Sequence, residues 1–359
     1  MKILHVVDMI SQQRGGGSAK VPYQLGEAQA RLGHKVTIYA SDFHAEDQLP
    51  PKGVELKKFH CALNLLGGVR ITPSMVFADF SQFDIVHLHN YRTLVNIIAA
   101  NKGRPYIVQA LGSCLPINGL TIPLHNFIWR NLILKRASAL IAIAEMEIGQ
   151  YVAEGADSKR ISLIPAGIKC NEFNRRPARV KDGKKRVLFL GRFHEDKSPV
   201  LLAKAIKILN RNDVILLMAG YDDGCEKTMR RQIKELGIED KVDYIGARYG
   251  KDKADTYAMA DIYIMPSRRE VFGLTLLEAL ACGTPVIATD RCGVASLLPP
   301  ECGLVVPFDE YALAKAINEA LDKDIASSYR EYRIKWAKQY DWSKIAPKII
   351  EVYRKVLGT

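Results

Sequence analysis

Two glutamates, Glu270 and Glu278, stand eight residues apart in "EVFGLTLLE" with almost nothing polar between them. A surface helix would not space its acids this way. A strand-like run, "ADIYIMP", comes before them and an apolar helix-like run follows. The helix is therefore expected to begin near Gly273 or Leu274 and to run to Cys282, with Gly283 as its stop. Glu270 then falls in the loop, and Glu278 about one turn inside the helix. The first-turn amides of Phe272, Gly273 and Leu274 are left without helical partners, and Gly273 lets a ligand approach the backbone closely. Carboxylates suit hydroxyls, and free amides suit phosphate. Together they describe a sugar nucleotide.

A second group is "GRFHEDKSPVLL". Its strand, Val187–Leu190, ends at Gly191, and Arg192 leaves the carboxyl end. Ser198 reads as an N-cap and Pro199 as the first helical residue. Lys197 then sits just ahead of a helix N-terminus, whose positive dipole end favours anions. Arginine binds a pyrophosphate in bidentate fashion, and lysine adds a point charge. The plainer alternative is two solvated cations in a loop. A metal site is the competing use of the paired acids, but they adjoin a helix N-terminus and lack a third oxygen ligand. The literal D-x-D, Asp322 and Asp324 in "LDKDIA", follows no strand and reads as solvated surface. The expectation is no metal and no cofactor.

In the first half, "GGGS" follows the first strand and lets backbone approach a phosphate or sugar, although the G-x-G-x-x-G spacing is absent. His87 and His89 end "DIVHLH". Alternation is expected to send them to different sides, with at least one structural and His89, nearer the carboxyl end, the functional candidate.

These residues need elements to hold them. "KILHVVD", the glycine cluster, the helical "VPYQLGEAQARLG" and "KVTIYAS" make strand, loop, helix, strand. The runs "DIVHLH", "PYIVQA" and "ALIAIA" are continuously apolar, as strands buried on both faces should be. After "ISLIPAGI" and the basic "NRRPARVKDGKK" the alternation restarts with "RVLFLGR", "VILLMAG", "VDYIGA", "ADIYIMPS" and "TPVIATD". Two doubly wound α/β domains with parallel sheets follow, at 1–172 and 173–342. Ligands of such sheets bind beyond the carboxyl ends of the strands, and two facing domains would make a cleft for donor and acceptor. The last segment, 343–359, carries Ile345, Ile349, Tyr353 and Leu357 on one helical stripe. It either returns to the first domain or ends the second.

Composition narrows the partners. The chain has 359 residues, with 51 Lys plus Arg against 39 Asp plus Glu, a net charge of +12. The surplus is spread along the chain and points to something anionic. No nucleic-acid module or aromatic stacking pattern accompanies it, so nucleic acid is a poor fit. The seven cysteines form no C-x-x-C pair and read as reduced thiols. "MKILHVVDMI" is apolar too briefly for a signal peptide, and no apolar run approaches the roughly 18 residues that span a bilayer. A cytoplasmic protein is expected. "IPLHNFIWRNLILKRASAL", 122–140, mixes apolar and basic residues. It is a candidate for resting on an anionic inner membrane face, with core packing as the alternative.

Taken together, "GRFHEDK", "PSRREVFGLTLLEALACGTPVIATD", "GGGSAKV", "ISLIPAGIKCNEF" and the terminal "WSKI…VYRKVL" resemble the retaining glycosyltransferases of family 4 over essentially the whole chain. The resemblance implies the GT-B fold of two facing Rossmann-like domains, the last helix crossing back to the first. It implies transfer of a sugar from a UDP- or GDP-sugar to a hydroxyl on a glycan or lipid-linked acceptor, without a metal. Glu270 would contact sugar hydroxyls and Glu278 ribose hydroxyls, with the amides of Phe272, Gly273 and Leu274 on sugar and phosphate. Arg192 and Lys197 would neutralise the departing diphosphate, Gly16 and Gly17 would border it, and Gly246 and Ala247 would hold the base.

Three places depart from the family pattern. "IPAG" replaces "IPNG", and Val271 replaces the glycine of "EGFG". More consequentially, Leu111 in "QALGS" stands where many relatives carry the histidine of "AHGS". Either His89 or Asn90 serves the sugar or acceptor side instead, or activity is low or absent. The alternative is thus a sugar-nucleotide-binding protein with weak or no transfer; a related nucleotide-sugar epimerase is a separate candidate, against which the pattern around Glu270 and Glu278 argues.

Overall fold

Short apolar runs become parallel strands here because helices cover both faces of each sheet, so no polar alternation is needed. The structure, a computed structural model, describes residues 1–11, 16–45, 48–65, 69–103, 105–114, 122–175, 182–323, 325–326 and 328–359, at 122–126 the backbone only. The chain divides into two units. The first is Met1–Gly167 with Trp342–Thr359, and the second is Ile168–Asp341.

In the first unit the strands are β1 (Lys2–Val7), β2 (Lys35–Ser41), β3 (Val54–Phe59), a two-residue hairpin of β4 (Leu63–Asn64) and β5 (Arg70–Ile71), β6 (Ile85–His89), β7 (Tyr106–Gln109), β8 (Ala139–Ala142) and β9 (Ile161–Leu163). Its helices are α1 (Gly16–Arg31), α2 (Leu94–Lys102), α3 (Ile122–Leu132) and α4 (Glu145–Ala153). Seven strands pair in the order β3-β2-β1-β6-β7-β8-β9, all parallel.

The second unit carries β10 (Lys185–Leu190), β11 (Val214–Ala219), β12 (Val242–Tyr244), β13 (Ile262–Met265), β14 (Val286–Thr289) and β15 (Gly303–Val306). Between and after them run α5 (Pro199–Leu209), α6 (Glu226–Glu235), α7 (Gly250–Met259), α8 (Leu274–Ala281), α9 (Glu310–Asp322) and α10 (Arg330–Ala337). Its parallel sheet runs β12-β11-β10-β13-β14-β15. Strand order reverses between β1 and β6 in one sheet and between β10 and β13 in the other, which makes those carboxyl ends the natural crevices.

Three features depart from the sequence reading. The change-over between units falls at 167–168 rather than 172–173, because Ile168 already hydrogen-bonds the Tyr340 carbonyl and Cys170 the Asp341 carboxylate within the second unit. The return falls at 341–342, one residue earlier than read. Strands β3 and β15 escape a search for apolar runs, since both lie at sheet edges and leave residues exposed. The basic stretch "NRRPARVKDGKK" lies partly outside the described residues, at 176–181.

The last helix, α11 (Trp342–Leu357), belongs to the first unit. Trp342 Nε1 donates to Gln24 Oε1 of α1 at 2.9 Å, and Ile345, Ile349 and Tyr353 are buried. A different device fixes α8. Arg330 of α10 donates to the Cys282 carbonyl at 2.9 Å, and the buried Arg333 donates to that of Gly283 at 2.9 Å. Two cations therefore close the negative end of α8, leaving its amino end as the open one.

Candidate active site

The loops leaving β10 and β13 meet because those strands are neighbours. The amide of Arg268 donates to the Asp196 carbonyl at 2.8 Å, joining one loop to the other. Close packing of three glycines shapes the adjacent rim. A Cβ on Gly220 would lie 1.9 Å from the Gly191 carbonyl oxygen, and the Gly220 amide donates to Gly246 at 3.1 Å. Gly246 and Ala247 are exposed beyond β12.

Within this frame Lys197 forms an ion pair with Glu270, both side chains partly buried. Arg192 does not join them: its guanidinium pairs with Asp223. Ser198 stands at the N-cap position of α5 as the sequence suggested, but its side chain makes no capping bond. It takes φ +48°, and its hydroxyl donates backward to the Glu195 carbonyl at 2.9 Å, because it closes the short turn 195–197. Pro199 does open α5.

The stretch 270–273 lies beside 291–294. Glu270 donates to the Arg291 carbonyl at 3.1 Å, and Gly293 donates to that of Glu270 at 2.9 Å. Gly273 has φ +99°, and a Cβ there would sit 2.9 Å from Cys292 Sγ and 3.1 Å from Met265 Sδ. Glycine is thus needed twice over, for conformation and for space. Among the described residues no acceptor stands opposite the amides of Phe272, Gly273 and Leu274, which head α8 as expected. Glu278, one turn inside, is buried. It forms an ion pair with Lys253 of α7, and the Tyr257 hydroxyl donates to it at 3.1 Å. Sequence reasoning missed Lys253, Tyr257 and Asp223. Nothing in their local pattern marks them, since each meets its partner only through the fold.

In the first unit, Gly16 has φ +58° and begins α1 together with Gly17, so the described part of the glycine cluster is helical; Gly15 lies outside the described residues. His87 and His89 do not face opposite sides. Two apart in a strand, they share one face, their rings stacked with centroids 4.1 Å apart. His5 of β1 joins them. A hydrogen bond of 2.8 Å links His5 Nδ1 and His89 Nε2, and one of 2.7 Å links His5 Nε2 and Gln29 Oε1. Gln29 Nε2 donates to the Tyr353 hydroxyl at 3.1 Å, and 2.6 Å separates that hydroxyl from His87 Nδ1.

All three rings are buried, and burial pushes the His5 imidazole down to about 4 and the other two well below their ordinary range. They are the group of three potential metal ligands found among the described residues. A cation would have to displace the hydrogen between His5 and His89, and no carboxylate joins the group. The arrangement is a neutral hydrogen-bonded cluster beneath α1 and α11, so His89 is not open to a ligand.

Asn90 and Leu111, at the carboxyl ends of β6 and β7, both take left-handed backbone, φ +63° and +52°. In segment 122–140, Trp129, Ile133 and Leu134 are buried while Phe127 is 64% exposed, so several of the described apolar side chains pack inward. Asp324 of the D-x-D lies outside the described residues. Among them, no helix is long and apolar enough to cross a membrane.

Comparisons with known proteins agree with the motifs. Residues 15–172 match the model described as "Glycosyltransferase Family 4", and 171–340 match "Glycosyl transferases group 1". A D-inositol 3-phosphate glycosyltransferase of Corynebacterium urealyticum is 32% identical over 62% of this chain, which spans 58% of that protein's length. A phosphatidyl-myo-inositol mannosyltransferase of Mycobacterium tuberculosis is 30% identical over 77% of this chain and 75% of its own. In fold, the chain superposes on Anabaena HepE, solved in complex with UDP and glucose, with a TM-score of 0.81 and 18% identity over 99% of this chain and 100% of the other. The two parallel-sheet units carry the GT-B fold, and the chain belongs to glycosyltransferase family 4.

Proposed function

We propose that the protein is a retaining, metal-independent glycosyltransferase that moves a sugar from a UDP- or GDP-sugar to a hydroxyl acceptor in glycan or glycolipid synthesis. One observation carries the reading: the Lys197–Glu270 pair adjoins the amides that head α8, which have no acceptor among the described residues. An acid for sugar hydroxyls, a cation for phosphate and fixed N–H donors thereby share one crevice. In this reading Lys197 stabilises the charge that grows on the departing diphosphate, and Arg192 adds to it by exchanging Asp223 for phosphate. Glu270, freed from Lys197 as phosphate takes its place, accepts from the sugar hydroxyls. Glu278 serves the ribose while held by Lys253 and Tyr257. Gly246 and Ala247 line the base. The diphosphate itself takes the proton of the attacking hydroxyl, so no separate strong base is needed.

The relatives are named for inositol phosphate and phosphatidylinositol acceptors, so a phosphorylated polyol or an anionic lipid headgroup is the first acceptor class to offer. A net charge of +12 suits such an acceptor and peripheral attachment to an anionic cytoplasmic membrane face.

The test is a panel of UDP-, GDP- and ADP-sugars, with donor binding and loss followed by mass spectrometry, with and without chelator. Turnover is expected to survive the chelator, and NMR of the product should show the donor's anomeric configuration. Lys197→Ala and Glu270→Gln should each lower turnover by about 100-fold. Unchanged turnover in both would remove the site. Leu111 motivates a second reading, a protein that binds the donor without transferring it. Tight binding with neither transfer nor hydrolysis would favour that one.

A further inference from the structure

Glu147 is a buried carboxylate that the donor site does not use. It lies in the first turn of α4 and joins two other elements. One oxygen, Oε1, accepts from the Gly112 amide at 2.7 Å, and Oε2 accepts from the Ile143 amide at 2.8 Å. Ile143 leaves β8, while Gly112 belongs to the loop after β7 that carries Leu111. The carboxylate therefore pins that loop to the next strand.

The loop needs pinning. Leu111 and Gly112 have φ +52° and +87°, and neighbouring Asn90 has +63°. Non-glycine residues hold such backbone only where their surroundings impose it. Other ties among the described residues hold the loop's flanks. Ser113 Oγ accepts from the Tyr91 amide at 2.5 Å and donates to the Ala110 carbonyl at 2.6 Å, and the Ala110 amide donates to the Tyr151 hydroxyl at 2.7 Å. Leu111, Gly112 and Ser113 remain partly exposed at the carboxyl edge of the sheet, where ligands of open α/β sheets bind.

Among the described residues, no cation acts on Glu147 directly. Tyr151 faces it from α4 and Cys114 from the loop, and Cys114 in turn is faced by Arg92 and Tyr91 from the segment after β6 and by Glu154 just past α4. Arg92 is held by Glu154 at 3.0 Å and also donates to the Ser113 carbonyl at 3.1 Å. Burial pushes the Glu147 carboxyl up to about 7, against the pull of its two amide hydrogen bonds. A carboxylate accepts from both N–H groups at once. The neutral acid turns a hydroxyl hydrogen toward one of them and gives up that bond.

We propose that Glu147 is a proton-operated brace: as the carboxylate it holds the Leu111–Gly112 turn, and on protonation it releases one amide and loosens the loop. Glu147 touches no substrate in this scheme; it is a positioning residue for the acceptor side. That consequence rests on the transfer reading above, whereas the brace itself does not.

Hydrogen–deuterium exchange of the full-length protein tests the brace without any substrate. The peptide spanning 110–114 is followed from pH 5.5 to 8.5, with rates corrected for intrinsic exchange. Protection should fall about tenfold between pH 8 and pH 6, with its midpoint near 7 in keeping with single-group titration. Glu147→Gln should give a flat profile. A wild-type profile without this titration overturns the proposal even if the variant does not fold, and so does a titration that persists in Glu147→Gln. Where a transferred sugar is found, kcat/KM for the acceptor should lose its acid limb in Glu147→Gln while donor KM stays put. Failure of transfer with intact titration would end the transfer reading and leave the brace standing.

Discussion

Glu278 and Lys253 form an ion pair that is almost sealed, with side chains 6% and 8% exposed on α8 and α7. Removing one partner of such a pair leaves a charge with its main counter-charge gone, at a cost of about 3–5 kcal/mol. Lys197 and Glu270 are more accessible, so breaking their pair costs about 1 kcal/mol or less. Glu278→Ala is therefore expected to lower the melting temperature clearly, and Lys197→Ala hardly at all. Thermal unfolding of both variants checks this. A Glu278→Ala protein that melts with the wild type would remove the structural role assigned to the pair, and only then could its activity be read as a ribose contact alone. The contrast also marks what the sequence discloses at this scale. Glu270, Lys197 and the glycine before α8 are legible because each sits in a short loop directly after an apolar strand. Lys253 is not, because it meets Glu278 across 25 positions from a helix with no distinguishing pattern.

Among the elements, β1, β6, α1 and α11 share the histidine cluster, and their docking depends on its neutrality. The folded-state pKa of His5 is depressed from 6.5 to about 4 by burial, and burial also holds those of His87 and His89 well below 6.5. A depressed pKa means that the unfolded chain takes up protons first. The cluster's contribution is thus full above about pH 6.5 and is lost as pH falls toward 4 and below. Glu147 acts the other way between about 4.5 and 7, its folded value being raised, but it is one group against three. Melting temperature is expected to drop over the acid range. Tyr353→Phe, which removes the hydroxyl between Gln29 and His87, should lower it at neutral pH by an amount equivalent to about 1–3 kcal/mol. Thermal scans from pH 7.5 to 4.5 test both; a wild-type profile flat over that range would contradict the neutral cluster. Most elements could be read from apolar runs, since strands covered on both faces have no other composition. The edge strands β3 and β15 could not, nor could the convergence of His5 with His87 and His89, which register between β1 and β6 alone decides.

At the scale of the whole molecule the two units differ in how the chain builds them. The second is continuous, Ile168–Asp341, with its own apolar core that includes Val187, Leu202, Ile206, Leu216 and Ile317. The first is closed only by α11, which returns from the far end of the sequence. Trp342, Ile345, Ile349, Ile350, Val352 and Tyr353 of that helix are all buried. At about 1.5–3 kcal/mol for each large apolar side chain, their burial is comparable with the entire stability of a typical domain, about 5–15 kcal/mol. A fragment of residues 168–341 is accordingly expected to unfold cooperatively on its own. It should bind the same sugar nucleotide as the full chain, because the residues proposed to hold the donor, Lys197, Glu270, the head of α8 and Glu278, all lie within it. Residues 1–167 alone should be aggregated or lack a cooperative transition. Joining 342–359 to them through a glycine–serine linker should restore one. Calorimetry of the three fragments, with donor titration of the second, decides the matter. A cooperative, soluble 1–167 would show that α11 decorates a unit already complete, and a folded 168–341 that binds no donor would move the donor site out of the second unit.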